Sequence, residues 1–157
     1  MSRFVGNQMT PIERTQIETH PILLFDGVCA LCNHLVRFLL QRDERAKIRF
    51  IPLESPLAQE VLAHFNLHMS PDGVVLIAHA FTPKERIYHR SDGIAQVLQF
   101  LDNPWRLLGR SLSLIPRLFR EPGYRLIARL RYRMFGRYAA CPIPTAAERD
   151  RILGVYE

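Results

Sequence analysis

The chain lacks a long apolar run, a secretory signal and a cysteine framework. Its most apolar stretch, residues 73–78, is far shorter than the ~20 residues that a transmembrane helix needs. Residues 1–20 contain no apolar block, so no secretory signal can be read there. Three cysteines do not make a disulfide framework. We therefore expect a protein of a reducing compartment, located in the cytoplasm, with peripheral attachment to a membrane as the alternative.

Lysine is nearly absent as well. Only Lys47 and Lys84 occur among the 21 basic residues, and the other 19 are arginines. The planar guanidinium of arginine suits carboxylates, phosphates and aromatic faces better than an ammonium does. Apolar residues, by contrast, are plentiful, since 48% of the 157 residues are hydrophobic. This content is enough for a sizeable core in one domain with an appendage.

Two cysteines, Cys29 and Cys32, are the most informative residues. They lie where an apolar strand predicted over residues 22–25 gives way, through a turn, to a helix predicted from 31 to about 42. A cysteine at the first turn of a helix faces unpaired N–H groups and the positive end of the helix dipole, which favour the thiolate. A second sulfur one turn away can then release a mixed disulfide. The spacing predicts thiol–disulfide exchange.

We assign Cys29 as the nucleophile and expect it to be the more exposed thiol, with Cys32 as the resolving thiol one turn inside the helix. Inert packed cysteines are the plainer interpretation, and zinc binding is the sharper competitor. Cys-x-x-Cys supplies two of the four ligands of a structural zinc site, but the chain has no second such pair and no His-x-x-x-His motif. Cys141 and one of six histidines would have to complete the site. We therefore favour redox chemistry, which requires no cofactor and no metal.

Seven elements are predicted before about residue 101, in the order β-α-β-α-β-β-α. The strands are placed at 22–25, 48–51, 74–78 and 86–89, and the helices at about 31–42, 55–65 and 93–101. The two strand–helix units favour parallel pairing through right-handed crossovers, and the last two strands are close enough for an antiparallel hairpin. We therefore expect an α/β domain over residues 21–102, with a mixed four-stranded sheet flanked by helices. Residues 1–20 are expected to form a flexible arm.

The composition changes after residue 102. Residues 104–137 contain nine arginines and one acid, Glu121, for a local net charge of +8. Apolar residues recur there at helical spacing, in one set at 105, 108, 112 and 115 and in another at 126, 127, 130 and 134. Arg125, Arg129 and Arg133 form a separate stripe. We expect an Arg-rich helical extension over 103–157 that packs its apolar stripes on the domain while the arginines face water. Contact with an anionic membrane is the second interpretation, and nucleic-acid binding is not expected, since no motif for it is readable.

The ten residues from Leu24 to Asn33, with the pattern Asp26-x-x-Cys29-x-x-Cys32, closely resemble the signature of the DCC family of thiol–disulfide oxidoreductases. Further stretches that fit the family are Arg49-Phe50-Ile51-Pro52-Leu53, Pro104-Trp105, Arg131-Tyr132-Arg133 and Cys141-Pro142. Leu130 departs from the family pattern, in which a polar residue is typical there, and Gly93-Ile94 stands where an alanine usually comes sooner. The resemblance covers about residues 21–153. It implies a thioredoxin-like fold in which the dithiol is the redox-active centre.

Five other candidate residues have two interpretations each. Asp26 either accepts the proton of the resolving thiol or orients the turn through backbone N–H groups. Pro71 is interpreted as a turn residue, although the resemblance to a thioredoxin-like fold would place a cis-proline beside the dithiol. Ser91 and Asp92 are interpreted as a helix cap rather than as part of the site. Cys141 is interpreted as accessory, with a second resolving role as the alternative.

The sequence thus predicts a thiol–disulfide oxidoreductase of the protein-disulfide reductase type. Its substrate would be a disulfide-containing protein or small molecule that forms a mixed disulfide with Cys29, and a second redox protein or a small thiol would regenerate the dithiol. The alternative is a non-enzymatic interaction module, either stabilised by zinc or held at a membrane surface by the basic tail.

Overall fold

The computed structural model describes residues 9–68 and 74–155. In these ranges the chain forms six helices and four strands. In chain order they are α1 (Pro11–Thr19), β1 (Ile22–Phe25), α2 (Ala30–Arg42), β2 (Arg49–Pro52), α3 (Pro56–His64), β3 (Val75–Ala78), β4 (Arg86–His89), α4 (Arg90–Gln99), α5 (Trp105–Leu114) and α6 (Arg117–Phe135).

The four strands form one mixed sheet in the order β2-β1-β3-β4. β1 pairs in parallel with β2, as expected of a strand–helix–strand unit, and antiparallel with β3. β3 and β4 form the predicted antiparallel hairpin. The predicted α/β architecture is therefore confirmed, and it is consistent with a thioredoxin-like fold. Because β1 lies in the interior of the sheet, the turn that follows it opens at the centre of the sheet's end.

β1 is buried on both faces, which explains why all four of its residues are apolar. Because side chains alternate along a strand, Leu23 and Phe25 point into a cluster with α2 and α4, while Ile22 and Leu24 point into a second cluster with α1 and α3. Full burial of a side chain of this size is worth roughly 1.5–3 kcal/mol. Helices on both faces therefore hold β1, and with it the start of the dithiol turn, firmly in place.

The segment before β1 is helical, although the sequence predicted a flexible arm there. α1 begins with a capping box between Thr10 and Glu13 and has proline in its first turn. Ile17 is fully buried and packs into the cluster that contains α3. The prediction of an arm over residues 1–20 is therefore wrong for α1. Because α1 buries one large apolar side chain, its sequence shows no repeated apolar spacing that would predict a helix.

α5 packs closely on the domain. The Trp105 ring meets the Phe38 ring edge to face, with 4.8 Å between the ring centroids. Gly109 allows α5 to approach α4, because a Cβ at this position would lie only 2.7 Å from the Ala95 carbonyl oxygen. The extension that begins near residue 103 is thus anchored to the domain from its first helix.

The chain after α6 returns to the far edge of the sheet. Phe50 of β2 donates its N–H to the Arg151 carbonyl oxygen at 2.9 Å and accepts a hydrogen bond from the Leu153 N–H at 2.8 Å. Arg151 also forms a 2.5 Å ion pair with the buried carboxylate of Asp43, at the end of α2. Residues 151–153 therefore extend the pairing of β2, and the segment between them and α6 crosses the dithiol end of the sheet.

Much of the apolar surface of α6 is uncovered. Trp105 and Leu112 of α5 pack against the domain as expected, but Leu108 and Ile115 of the same predicted stripe are exposed. In α6, Leu126, Ile127 and Met134 are exposed. The prediction that both apolar stripes pack on the domain is therefore wrong for α6, whose buried residue is a charged one. Across residues 9–68 and 74–155, no helix combines the length and apolar character needed to cross a bilayer.

Candidate active site

The turn between β1 and α2 is held by hydrogen bonds from both of its sides. Asp26 Oδ1 accepts the Val28 N–H at 3.1 Å, and the Asp26 carbonyl oxygen accepts the Cys29 N–H at 3.3 Å. On α2, the Asn33 side-chain amide donates to the carbonyl oxygens of Gly27 and Cys29 at 2.7 and 2.9 Å. The turn role considered for Asp26 is thus observed, and these bonds set the direction in which the helix leaves the strand.

The two sulfurs lie at the start of α2, as the sequence predicted. Cys29 is the N-cap residue, and its Sγ accepts the backbone N–H of Cys32 at 3.3 Å. A side-chain acceptor at this position interacts with the positive end of the helix dipole, which stabilises negative charge on the Cys29 sulfur. Burial raises the pKa of Cys32, and its contact with Cys29 raises that pKa further. Cys32 is therefore held as a protonated thiol at neutral pH.

Both thiols are covered, which corrects one prediction. Cys29 is 0% exposed and Cys32 is 7% exposed, so Cys29 is not the more accessible of the two. The segment after α6 runs antiparallel to the turn: the Gly136 carbonyl oxygen accepts the Ala30 N–H at 3.3 Å, and the Tyr138 N–H donates to the Val28 carbonyl oxygen at 2.8 Å. We call residues 136–138 the covering segment. It lies against the backbone of Cys29, because it pairs with the residues on either side of it.

A buried ion pair links α6 to the dithiol turn. Arg131 Nη2 lies 3.0 Å from Asp26 Oδ2, and both side chains are almost completely buried. Tyr132 donates its hydroxyl hydrogen to the same Asp26 oxygen and accepts a hydrogen bond from Arg131 at 3.1 Å. Burial opposes the charge of Arg131, but Tyr132 and the two cysteine sulfurs outweigh this effect and raise the pKa of Arg131. A permanent positive charge is therefore placed where it acts on both sulfurs.

A second carboxyl group and the third cysteine stand on the other side of the turn. Glu54 Oε2 accepts the Gly27 N–H at 3.0 Å. Partial burial and contact with the Asp26 carboxyl raise the pKa of Glu54, although bonds from its own N–H and that of Gly27 act the other way. Burial, together with the charges of Glu54 and Asp26, raises the pKa of Cys141 to about 11. The sequence had left Cys141 without a location, and the fold places it against Gly27.

Gly27 has little room for a side chain. A Cβ at this position would lie 2.6 Å from Glu54 Oε2 and 2.7 Å from Cys141 Sγ. We expect Gly27→Ala to lower the free energy of unfolding by about 1–3 kcal/mol, as overpacking does, in urea denaturation followed by circular dichroism. Gly123→Ala in α6 is the matched control, because a Cβ there meets no atom within 4 Å. Equal stability of Gly27→Ala and the wild type would show that the turn is loosely packed.

The remaining predicted positions have different outcomes. Ser91 and Asp92 do not cap α4, whose N-cap is His89, but lie in its first turn and bind α6. Ser91 donates its hydroxyl hydrogen to Glu121, and Asp92 pairs with Arg120 at 2.7 Å. The predicted cap is therefore wrong, because these side chains find partners on a helix that is distant in sequence. Pro71 lies outside the described residues.

No group of three or more metal-ligating side chains is arranged to hold a metal ion within residues 9–68 and 74–155. The sequence did not point to Glu54, because no pattern in the residues around it predicts that its carboxyl group binds the Gly27 N–H after β1. The sequence pointed to Arg131 and Tyr132 only as part of a family-like stretch. That stretch was the one available signal, because the pairing of residues 105 positions apart leaves no local pattern.

The chain is similar to known proteins in sequence. The sequence model described as DCC1-like thiol-disulfide oxidoreductase matches residues 23–137. The chain is 34% identical over 133 residues to the uncharacterized protein YuxK of Bacillus subtilis (strain 168). The aligned region covers 84% of this chain and 93% of that protein. It is 32% identical over 126 residues to the chloroplastic DCC family protein At1g52590 of Arabidopsis thaliana, covering 80% of this chain and 71% of that protein. No solved structure matches.

Proposed function

Because the chain belongs to the DCC1-like thiol-disulfide oxidoreductase family, we propose that Cys29 and Cys32 exchange their thiols with a disulfide of a protein or small molecule. One observation carries this proposal: the Cys29 sulfur caps α2 and accepts the N–H of Cys32, its redox partner. An N-cap sulfur with a cation nearby has the environment of a reactive thiolate rather than of an inert packed cysteine.

In the reductase direction the reaction has two exchange steps. The Cys29 thiolate attacks one sulfur of the substrate disulfide, that bond breaks, and the other substrate sulfur leaves as a thiolate that takes a proton from solvent. Cys32 then loses its proton and attacks Cys29 Sγ, which releases the second substrate thiolate. The substrate gains two electrons and the enzyme ends with a Cys29–Cys32 disulfide. A second redox protein or a small thiol restores the dithiol by the same chemistry in reverse.

Two neighbouring carboxyl groups can receive the proton of Cys32. Asp26 accepts hydrogen bonds from Val28, Arg131 and Tyr132, which hold its carboxyl group beside the dithiol turn. Glu54, with its raised pKa and its contact with Asp26, offers a second site for the proton. We therefore propose that Asp26, with Glu54 beside it, accepts the proton during resolution.

Exchange requires that the covering segment move. With Cys29 fully buried, no substrate sulfur can approach in line with a new sulfur–sulfur bond. Two backbone hydrogen bonds join the segment to Ala30 and Val28. Opening the segment therefore costs far less free energy than unfolding the domain. Opening of residues 136–138 is therefore proposed as a step before attack.

The variants Cys29→Ser and Cys32→Ser test the proposed function. Each is assayed for turnover and for a trapped mixed disulfide.

A second candidate function, attachment to a membrane surface, is favoured by the junction of α5 and α6. Leu114, Leu118 and Phe119 lie close together in sequence there and are 84%, 78% and 72% exposed. The surrounding region carries the nine arginines of residues 104–137 against a single acid. Exposed apolar side chains among guanidinium groups match the headgroup region of an anionic bilayer, where phosphates bind arginine and acyl chains accept the apolar side chains. We propose that this junction inserts shallowly into such a surface.

Sedimentation with vesicles tests the membrane proposal. We expect the protein to pellet with phosphatidylglycerol-containing vesicles and not with pure phosphatidylcholine. The variant Leu114→Ser/Leu118→Ser/Phe119→Ser should bind at least about tenfold more weakly, because even partial burial of three such side chains is worth more than ~1.4 kcal/mol. Ile12→Ser is the matched control, since Ile12 is equally exposed but lies on α1. Equal binding of the triple variant and the wild type would contradict the proposal, and a wild-type dimer lost in the triple variant would indicate a second copy instead.

A further inference from the structure

A cleft between α4 and α6 is lined by three arginines. Arg90 borders it from the first turn of α4, and Arg125 and Arg129 border it from successive turns of α6. Tyr124 and Ala128 complete the lining, and the cleft has a volume of about 220 Å³. This is smaller than the ~300–1,000 Å³ of sites for drug-sized ligands. The cleft therefore suits one charged end of a small molecule and not a whole ligand.

The positive charge of the cleft is only partly balanced. Glu121 is the carboxylate next to it, and its Oε2 lies 3.8 Å from Arg90 and 4.0 Å from Arg125, at the long limit of an ion pair. Glu121 also accepts a hydrogen bond from the Ser91 hydroxyl. Within the described ranges no carboxylate is paired with Arg129. Three guanidinium groups with one shared carboxylate leave a net positive charge that an incoming anion can satisfy.

The cleft adjoins the dithiol. The Tyr124 hydroxyl accepts the Val74 N–H at 3.3 Å. Tyr124 is also close enough to Cys32 for the two side chains to interact electrostatically. Tyr124 and Ala128 precede Arg131 by seven and three residues, so they share a face of α6 with the arginine that contacts Asp26. Seven residues span about 10 Å along a helix. An anionic group in the cleft would thus lie within a small molecule's length of the two sulfurs.

We propose that this cleft is a subsite for a carboxylate of a small disulfide substrate. The inference rests on the proposed thiol–disulfide exchange and names the class of substrate for it: a disulfide whose halves carry carboxylates, as glutathione disulfide does. Arg125 and Arg129 on α6 can bind a carboxylate through charge-assisted, bidentate hydrogen bonds. This contact would hold the disulfide while one of its sulfurs is delivered to Cys29. The dithiol supplies two electrons, the substrate leaves as two thiols, and the enzyme retains the Cys29–Cys32 disulfide.

A single-turnover experiment tests the subsite. Pre-reduced protein is mixed with excess glutathione disulfide or with neutral bis(2-hydroxyethyl) disulfide, quenched in acid, and its oxidised fraction measured by mass spectrometry. The ratio of the two rate constants should fall about tenfold or more in Arg125→Gln/Arg129→Gln, because only the charged substrate loses its contact. Arg110→Gln/Arg133→Gln is the control: it removes the same charge from exposed positions outside the cleft, and its ratio should stay within about twofold of the wild type.

Two results would overturn the subsite. One is an unchanged ratio in the cleft variant, and the other is an equal fall in the control, which would indicate long-range attraction only. Calorimetric binding of S-methylglutathione, which cannot exchange, separates the subsite from the chemistry. Binding that is lost in Arg125→Gln/Arg129→Gln supports the subsite even if neither disulfide oxidises the protein, in which case the proposed exchange is wrong. Absence of binding to the wild type, with both disulfides active, rejects the subsite and leaves the exchange intact.

Discussion

Replacing Cys29 by serine is expected to lower the rate of disulfide reduction by about a thousandfold or more, equivalent to ~4 kcal/mol of activation free energy. A serine hydroxyl stays protonated at neutral pH and is a far weaker nucleophile than a thiolate. Insulin or glutathione disulfide reduction, with the substrate thiols followed spectrophotometrically, measures the loss. Cys32→Ser should differ in kind, because the first attack still occurs and the resolving thiol is missing. We expect it to accumulate a mixed disulfide, visible as one added substrate half by mass spectrometry.

Cys141→Ser provides the matched control for both substitutions. Burial and the charges of Glu54 and Asp26 raise the pKa of Cys141 to about 11, so its thiol is protonated and weakly nucleophilic at neutral pH. We expect this variant to keep wild-type turnover. Wild-type turnover in both Cys29→Ser and Cys32→Ser would refute the proposed function. If Cys141→Ser lost turnover while Cys32→Ser kept it, the resolving role would belong to Cys141.

Removing the charge of Arg131 is expected to cost more stability than removing any exposed arginine of α6. Arg131→Met preserves the length of the side chain but leaves the Asp26 carboxylate buried without its cation, although Tyr132 and Val28 still donate to it. Loss of one partner of a buried pair typically costs about 3–5 kcal/mol. Urea denaturation of the reduced protein measures this change in the free energy of unfolding. Arg133→Met on the exposed side of the same helix should stay within about 0.5 kcal/mol of the wild type.

The double variant Asp26→Asn/Arg131→Met tests whether the two residues act as a pair. Once the carboxylate is neutral, loss of the cation leaves no unpaired charge, so the double variant should be more stable than the sum of the single losses implies. Additive losses, or a loss below about 1 kcal/mol for Arg131→Met alone, would mean that the carboxylate is stabilised mainly by Tyr132 and the backbone. In either case the ion pair would not be what fastens α6 to the dithiol turn.

Local signals were enough for the sheet and for the position of the two cysteines. All four residues of β1 are apolar because the strand is buried on both faces. α2 follows β1 after a short turn. Both features depend on residues close in sequence, whose alternation and spacing are visible directly. α1 escaped detection for the opposite reason: it buries Ile17 as its one large apolar side chain, against a cluster built by later elements.

The surroundings of the dithiol were decided by contacts over long sequence distances. Arg131 meets Asp26 across 105 positions, and the covering segment reaches Val28 and Ala30 from a similar distance. Such pairings leave no period or motif, because what brings them together is the packing of α6 on the domain and not the propensity of either segment. The position of the two sulfurs at a helix start could therefore be predicted from their spacing. The charge that acts on them, the segment that covers them and the arginine-lined cleft near them follow from how the basic extension folds back over the sheet.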